Sequence, residues 1–444
     1  MTGFLIFSAA FIALALLELR RGQSAGGYFL NNRRSSALQV GFSIAASCVG
    51  GSATVGMCGL AHDAGTPAVW WLLSGAAGLV LLRIFMLPRI RSNRQALTMP
   101  EMIASRIGAP SHRLACGIIL IAWTTILAAQ FLAMGRILEG VTTLSLEQSV
   151  LAGALVIVLY TWLGGQAAVM KSDVWQLVVL VCGLALFLGL LAAQRPEPLL
   201  AVRLEWLNED FKAPDLGRFM LLIGGSYVVC PMLFARVMSA RSDAAARRGA
   251  AMGIVLIALS AVIITALGVE SRAWVPESVA GDAVLGALSS SLPSWAGLIV
   301  FFVLASAIFS SADSCLITAA TVAANDLLHT TSVAASRRLV LVISGAALAL
   351  ALGGRSVLGL LLAANTIYTC ALVAPLFAAF FCRGPLHCKT IFWTICACAA
   401  LSLASEILSS DILLWSAAAL SISGSFAARA LGPLAPPLAR QRVD

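Results

Sequence analysis

The feature that most limits what this 444-residue chain can become is a succession of thirteen apolar runs. Each is long enough for a helix to cross the hydrocarbon core of a bilayer, which takes roughly 17–25 residues. They lie near 2–19, 37–61, 67–88, 113–140, 148–164, 168–193, 217–238, 249–270, 294–325, 337–354, 356–382, 389–407 and 411–430. Hydrophobic residues make up 60% of the chain and charged ones 11%, with a mean hydropathy of +0.95, a balance unsuited to a water-borne globule. In lipid every backbone amide must be satisfied within its own segment, so such runs fold as helices. The expectation is an all-α polytopic membrane protein of 13 transmembrane helices in the lipid bilayer.

Arginine marks one set of alternate connections: Arg20, Arg21, Arg33 and Arg34; Arg89, Arg91, Arg94 and Arg106; Arg236, Arg241, Arg247 and Arg248; Arg337 and Arg338; Arg383 with Lys389; Arg440 with Arg442. Acids prevail in the other set, at Glu205, Glu209, Asp210, Asp215, Glu270, Glu277, Asp282 and Asp411. Short cytoplasmic loops collect Lys and Arg, so the amino terminus is expected outside and the carboxyl terminus in the cytoplasm, as in a plasma-membrane protein of the bacterial inner-membrane kind. The first run has no basic stretch before it and Arg20-Arg21 directly after it, and reads as a retained helix rather than a cleaved signal peptide. This topology accounts for the net charge of +9 through contact with anionic lipid and leaves no case for nucleic acid.

Eleven cysteines lie mostly inside the runs, and only Cys396 and Cys398 are close in sequence, so neither a disulfide framework nor a zinc site is expected. The histidines His62, His112, His329 and His387 fall at expected loop positions, with no Ser-His pairing and no HExxH motif. An enzyme is therefore not expected.

No connection is long enough for an extramembrane core; the longest, 194–216, is expected outside. Residues 1–36 give a first helix and cytoplasmic loop, and 383–444 two accessory helices and a tail. Between them, 37–193 and 217–382 each hold five runs and so enter the membrane in opposite orientations. Each block opens on a run with paired glycines, Gly50-Gly51 in the first and Gly224-Gly225 in the second, the latter followed by Pro231. Helices broken at matching positions of inverted repeats point to a midplane binding site, because unwound backbone offers carbonyls to a cation. Close helix packing is the alternative use of such glycines.

The ninth run carries an acid, Asp313, among hydroxyls. A charge at mid-bilayer costs about 2.5–3.5 kcal/mol on insertion scales and usually marks a transport path. Ala307, Ser310, Ser311 and Ser314 share one helical face. Serines in membrane helices also bond back to their own helix, so the cluster with its acid, rather than any single serine, suggests a cation site.

The residues at this point resemble the sodium:solute symporter family. Gly26-Gly27-Tyr28-Phe29-Leu30 with Arg33-Arg34 looks like its entry motif, and Thr98-Met99-Pro100-Glu101-Met102 resembles its cytoplasmic loop. Gly164-Gly165-Gln166 through Lys171-Ser172-Asp173-Val174-Trp175-Gln176 is similar to its Gly-Gly…Thr-Asp…Gln motif, and Pro231…Arg236 through Ala240 to its Gln-Arg…Ala-Ala stretch. The resemblance implies a LeuT-type 5+5 inverted-repeat core with one preceding and two following helices. It implies a sodium ion held by backbone carbonyls of Ala46, Val49 and Ala307 and by the hydroxyls of Ser310 and Ser311. Some members carry a second sodium site, which would fall here on Asp173, Ser310, Asp313 and Ser314, with Asp313 an additional carboxylate that could instead take a proton. Lys171 nearby either partly neutralises that acid or snorkels to the interface.

The solute is expected beside the breaks, against Ser47, Cys48, Ser52, Trp71, Gln130, Ser226, Tyr227, Asn365 and Tyr368; Trp70 and Trp71 could equally be interfacial anchors. With no basic residue expected near the centre, a small polar or zwitterionic organic solute fits best. The function implied is sodium-coupled import by alternating access. Proton coupling on the same fold is one alternative. A non-transporting solute sensor is another, although no kinase-sized region is present in this sequence and no obligatory protein partner is evident.

Overall fold

The computed structural model describes residues 2–20, 25–194, 204–290, 294–353, 356–382 and 384–432, so Arg21, Arg383, Arg440 and Arg442 lie outside the described residues. The described residues form helices and no strand; a lone bridge joins Ser35 to Ala240. Fifteen helices carry the argument: α1 (Thr2–Arg20), α2 (Ala37–Cys48), α3 (Met57–Ala64), α4 (Trp70–Leu81), α5 (Met99–Ile107), α6 (Ala109–Val141), α7 (Leu146–Ala193), α8 (Ala213–Phe219), α9 (Pro231–Ser239), α10 (Asp243–Ser271), α11 (Ser294–Val322), α12 (Val333–Ala351), α13 (Val357–Tyr368), α14 (Cys388–Leu408) and α15 (Asp411–Ala430).

Among the described residues ten helices are long and apolar enough to cross a membrane, or eleven when the pair Ala37–Cys48 and Ser52–Ala64, bent by 58°, counts as one span. Thirteen is reached only by adding α1 and by dividing the 48-residue α7 at Gly165, where two expected runs meet. Gly165 has φ +58°, a conformation that L side chains rarely adopt, and a Cβ there would meet the Tyr28 ring. Local signals set the starts: Ser36 and Gln39 form a capping box on α2, and Ser145 and Gln148 another on α7.

The core is built around α11, which packs on α6 and α7 and crosses α2. Of the apolar stretch of that span, 83% is buried, against 33% in each of α14 and α15. The acid-bearing helix is thus the most enclosed span, as the cost of exposing a charge to lipid requires. At the end bearing most arginines, Ser35 N–H donates to the Ser239 carbonyl at 3.0 Å and Arg91 Nε lies 2.8 Å from Asp243 Oδ1. Arg106 Nη1 donates to the Ala379 carbonyl at 2.6 Å. These contacts join the two halves of the bundle at that end.

The second broken helix differs from expectation. Gly224 and Gly225 are helical, and a Cβ on Gly224 would sit 2.9 Å from the Ser74 carbonyl oxygen of α4. Their role is close packing; the helix breaks at Val229 and Cys230, just before Pro231.

Candidate functional site

α2 ends at Cys48, and Val49 leaves helical geometry with φ −100° and ψ 66°. The carbonyls of the last turn therefore lose their regular helical donors. Gly51 N–H turns instead to Gln130 Oε1 of α6 at 2.8 Å. Serines of α11 approach the released carbonyls: Ser310 Oγ lies 2.9 Å from both the Ala46 and the Ala307 oxygens, and Ser311 Oγ lies 3.3 Å from the Ala46 oxygen and 3.0 Å from that of Ser47. Four oxygens, from Ala46, Ala307, Ser310 and Ser311, are thus brought together at one buried place. Neutral oxygens are ligands that a hard cation takes, and both hydroxyls can turn their lone pairs inward. Val49 stands at the break, its N–H closing the last turn on the Ala45 carbonyl at 2.9 Å. Gly50 permits the approach, since a Cβ there would collide with Ser311 and come within 2.9 Å of Gln130 Oε1.

One helical turn beyond, the hydroxyls of Ser314 and Ser47 are 3.0 Å apart, tying α11 again to α2. Behind them lies a residue placed in a cytoplasmic loop by its sequence context. Arg236, on α9, is wholly buried. Its guanidinium donates to Ser314 Oγ and to Gln166 Oε1, the latter at 3.2 Å, and lies 3.7 Å from Asp173 Oδ2. Asp173 also accepts from Ser43 of α2, and Ser314 Oγ lies 3.2 Å from Asp313 Oδ1. The expectation that no basic residue lies near the centre is therefore corrected. Two carboxyl groups face one guanidinium, so the fully ionised cluster would carry one net negative charge. Asp173 Oδ1 and Asp313 Oδ2 are both buried without hydrogen-bond partners.

A cavity adjoins the break on the other side. Ser47, Cys48, Ser52, Trp71, Gln130, Ser226, Tyr227 and Asn365 all line it, together with Ser311 of the oxygen cluster. Tyr368 does not: its hydroxyl donates to the Val229 carbonyl at the second break, and its ring packs edge-on against Trp123 at 5.0 Å. Trp70 is likewise elsewhere, with Nε1 donating to the Trp206 carbonyl at 3.0 Å. Sequence reasoning missed Trp123, Cys230 and Cys315 as lining residues. Cys315 could have been found, because it lies four residues beyond Ser311 on the same helical face. Among the described residues, no charged side chain lines this cavity.

The signature of the sodium:solute symporter family matches residues 28–194. The sodium/pantothenate symporter of Haemophilus influenzae is 25% identical over 72% of this chain and 69% of its own length. A sodium/proline symporter of Staphylococcus aureus is 22% identical over 62% of this chain, which spans 57% of that relative. Among solved structures, a sodium-coupled sialic acid symporter in a substrate-bound outward-open state superposes with a TM-score of 0.81 at 15% identity, covering 97% of this chain and 96% of that one. A nucleobase-cation-symport-1 family transporter gives 0.59 at 16% identity, covering 93% of this chain and 97% of that one. The fold is LeuT-type. The chain is similar to the sodium:solute symporter family, whose signature it carries over residues 28–194.

Proposed function

We propose that this protein is a sodium-coupled symporter that imports a small polar organic solute by alternating access. The observation that carries the reading is the oxygen cluster of Ala46, Ala307, Ser310 and Ser311, formed where a broken helix meets the most enclosed span and sharing Ser311 with the adjacent cavity. A sodium ion bound there, with Val49 as a further carbonyl ligand, would clamp α2 to α11 and fix one wall of the cavity. Coupling results when that clamp favours the solute-competent state. The five-and-five division at 37–193 and 217–382 supplies two units that can rock against each other.

The driving force is sufficient for uphill transport. One sodium crossing about 100 mV releases about 2.3 kcal/mol, and a tenfold concentration ratio adds about 1.4 kcal/mol, together enough for accumulation of several-hundred-fold. The uncharged cavity favours a neutral or zwitterionic solute; a carboxylate would be met by hydroxyls, amides and bound sodium. Proline, pantothenate and sialic acid, each carried or bound by a relative, are the first solutes to try.

The cluster of Asp173, Asp313, Ser314 and Arg236 supports a second cation or a proton taken up alongside the first sodium. Its orphaned carboxylate oxygens would accept either. Uptake in proteoliposomes under separately imposed sodium and pH gradients tests both readings. Uptake driven by a sodium gradient alone supports sodium coupling, and uptake driven only by a pH gradient overturns it. The proposed setting is the bacterial inner membrane, with the arginine-rich end in the cytoplasm.

A further inference from the structure

We propose that His112, Cys116 and Asp326 form a binding site for a divalent metal ion of the zinc kind at the arginine-rich end of the bundle, beyond the end of the α11 helix that carries Ser310 and Ser311. His112 and Cys116 are four residues apart in the first two turns of α6 and share a face. Asp326 lies in the widened turn Ala323–Leu327 that continues α11. The sequence placed His112 in a loop and Cys116 inside an apolar run with no zinc site expected; the structure brings both against an acid from far along the chain.

His112 Nε2 stands 3.1 Å from Asp326 Oδ1 and 3.7 Å from Cys116 Sγ. One ligand atom from each of the three residues lies within 4.8 Å of the other two. A tetrahedral zinc ion, with bonds of about 2.0–2.2 Å to nitrogen and oxygen and about 2.3 Å to sulfur, holds adjacent N and O about 3.3 Å apart and N and S about 3.6 Å apart. Two edges of such a tetrahedron are therefore already near their ideal length, and the third, from Cys116 Sγ to Asp326, is at most 4.8 Å. A second observation is independent of this spacing: Asp326 is 2% exposed, and its other oxygen, Oδ2, is buried with no hydrogen-bond partner.

Charge and donor type agree with a zinc-like ion. A thiolate and a carboxylate cancel a charge of two, and a neutral imidazole adds none, so the ion enters this buried place without net charge. The Cys116 proton leaves to water, and His112 binds through Nε2 with its proton on Nδ1. Nitrogen, sulfur and a single carboxylate select zinc, cobalt or nickel over magnesium or calcium. Water completes the fourth position. Asn325, next to Asp326, donates to Glu101 Oε2 of α5 at 3.2 Å, so a bound ion would brace α5, α6 and α11 at this end.

The test uses the purified full-length chain, stripped with a chelator and titrated separately with Zn²⁺ and Co²⁺. One equivalent is expected, with the visible spectrum of tetrahedral cobalt and a thiolate-to-cobalt charge-transfer band. Cys116→Ser should abolish that band, and His112→Gln should weaken binding by more than about tenfold. X-ray absorption of the zinc-loaded wild-type protein needs no variant and should show one sulfur in the zinc shell. Wild type and variants binding alike, or a zinc shell of oxygen alone, would overturn the proposal in favour of an ordinary buried His–Asp pair beside a thiol.

Discussion

The two broken helices use one device for different ends. At the first break the backbone opens at Val49 with Gly50 beside it, and the carbonyls of Ala46 and Ser47 meet the serines of α11. At the second, Val229 and Cys230 open before Pro231, but the Val229 carbonyl is satisfied by the Tyr368 hydroxyl. The helix that restarts there carries Arg236, a fixed positive charge aimed at Ser314 and Asp173. One break thus exposes oxygens of the kind a hard cation takes, while the other supplies a tethered positive charge. A helix interruption by itself does not make an ion site; the side chains that meet the released carbonyls decide.

The largest effect is expected at the first break. Ser310→Ala or Ser311→Ala should abolish sodium-stimulated uptake while protein yield stays near wild type, because each removes one ligand and leaves no buried charge. Gly50→Ala should do the same through the collision with Ser311 and Gln130. Normal sodium dependence in both serine variants would count against the assignment.

Next comes Arg236→Ala, which leaves Asp173 and Asp313 facing each other without their cation. Breaking a buried pair from one side costs about 3–5 kcal/mol, so the variant should melt markedly lower. Adding Asp313→Asn should recover much of that loss. A double variant no more stable than Arg236→Ala would show that Asp313 is not part of the same charge balance.

Tyr368→Phe should cost less, about 0.6–1.7 kcal/mol, the range for one hydrogen bond between membrane helices. Sodium dependence should survive it, read by uptake at varied sodium, since its hydroxyl serves the second break only. The smallest change is expected for Trp70→Phe, which loses one exposed hydrogen bond to Trp206 and should leave sodium affinity unaltered.

Much of this architecture was legible because the bilayer simplifies the code. Apolar run length locates helices when every backbone amide must bond within its own segment. The spacing of Ala307, Ser310 and Ser311 puts them on one helical face in the sequence itself, whereas their pairing with Ala46 beside the Gly50-Gly51 break came only from the family resemblance. Arg236 was hidden for an instructive reason: counting arginines assigns each to the nearest loop, whereas Pro231 restarts a helix that carries this one inward. The second break was misplaced because glycine serves packing as well as unwinding, and Gly224 spends its missing Cβ on α4. Tyr368 sits beside the cavity in sequence logic, yet its hydroxyl is claimed by a carbonyl that only the fold brings near. The grouping of His112, Cys116 and Asp326 depends on a contact between two distant helices, which no local spacing could reveal.

The central claim is that the first break and the α11 serines hold sodium. Equilibrium binding of radiolabelled sodium to the purified protein tests it most directly. Saturable binding is predicted in the wild type and in Tyr368→Phe, with loss of that component in the Ser310→Ala, Ser311→Ala double variant. Unchanged sodium binding in that double variant would contradict the account.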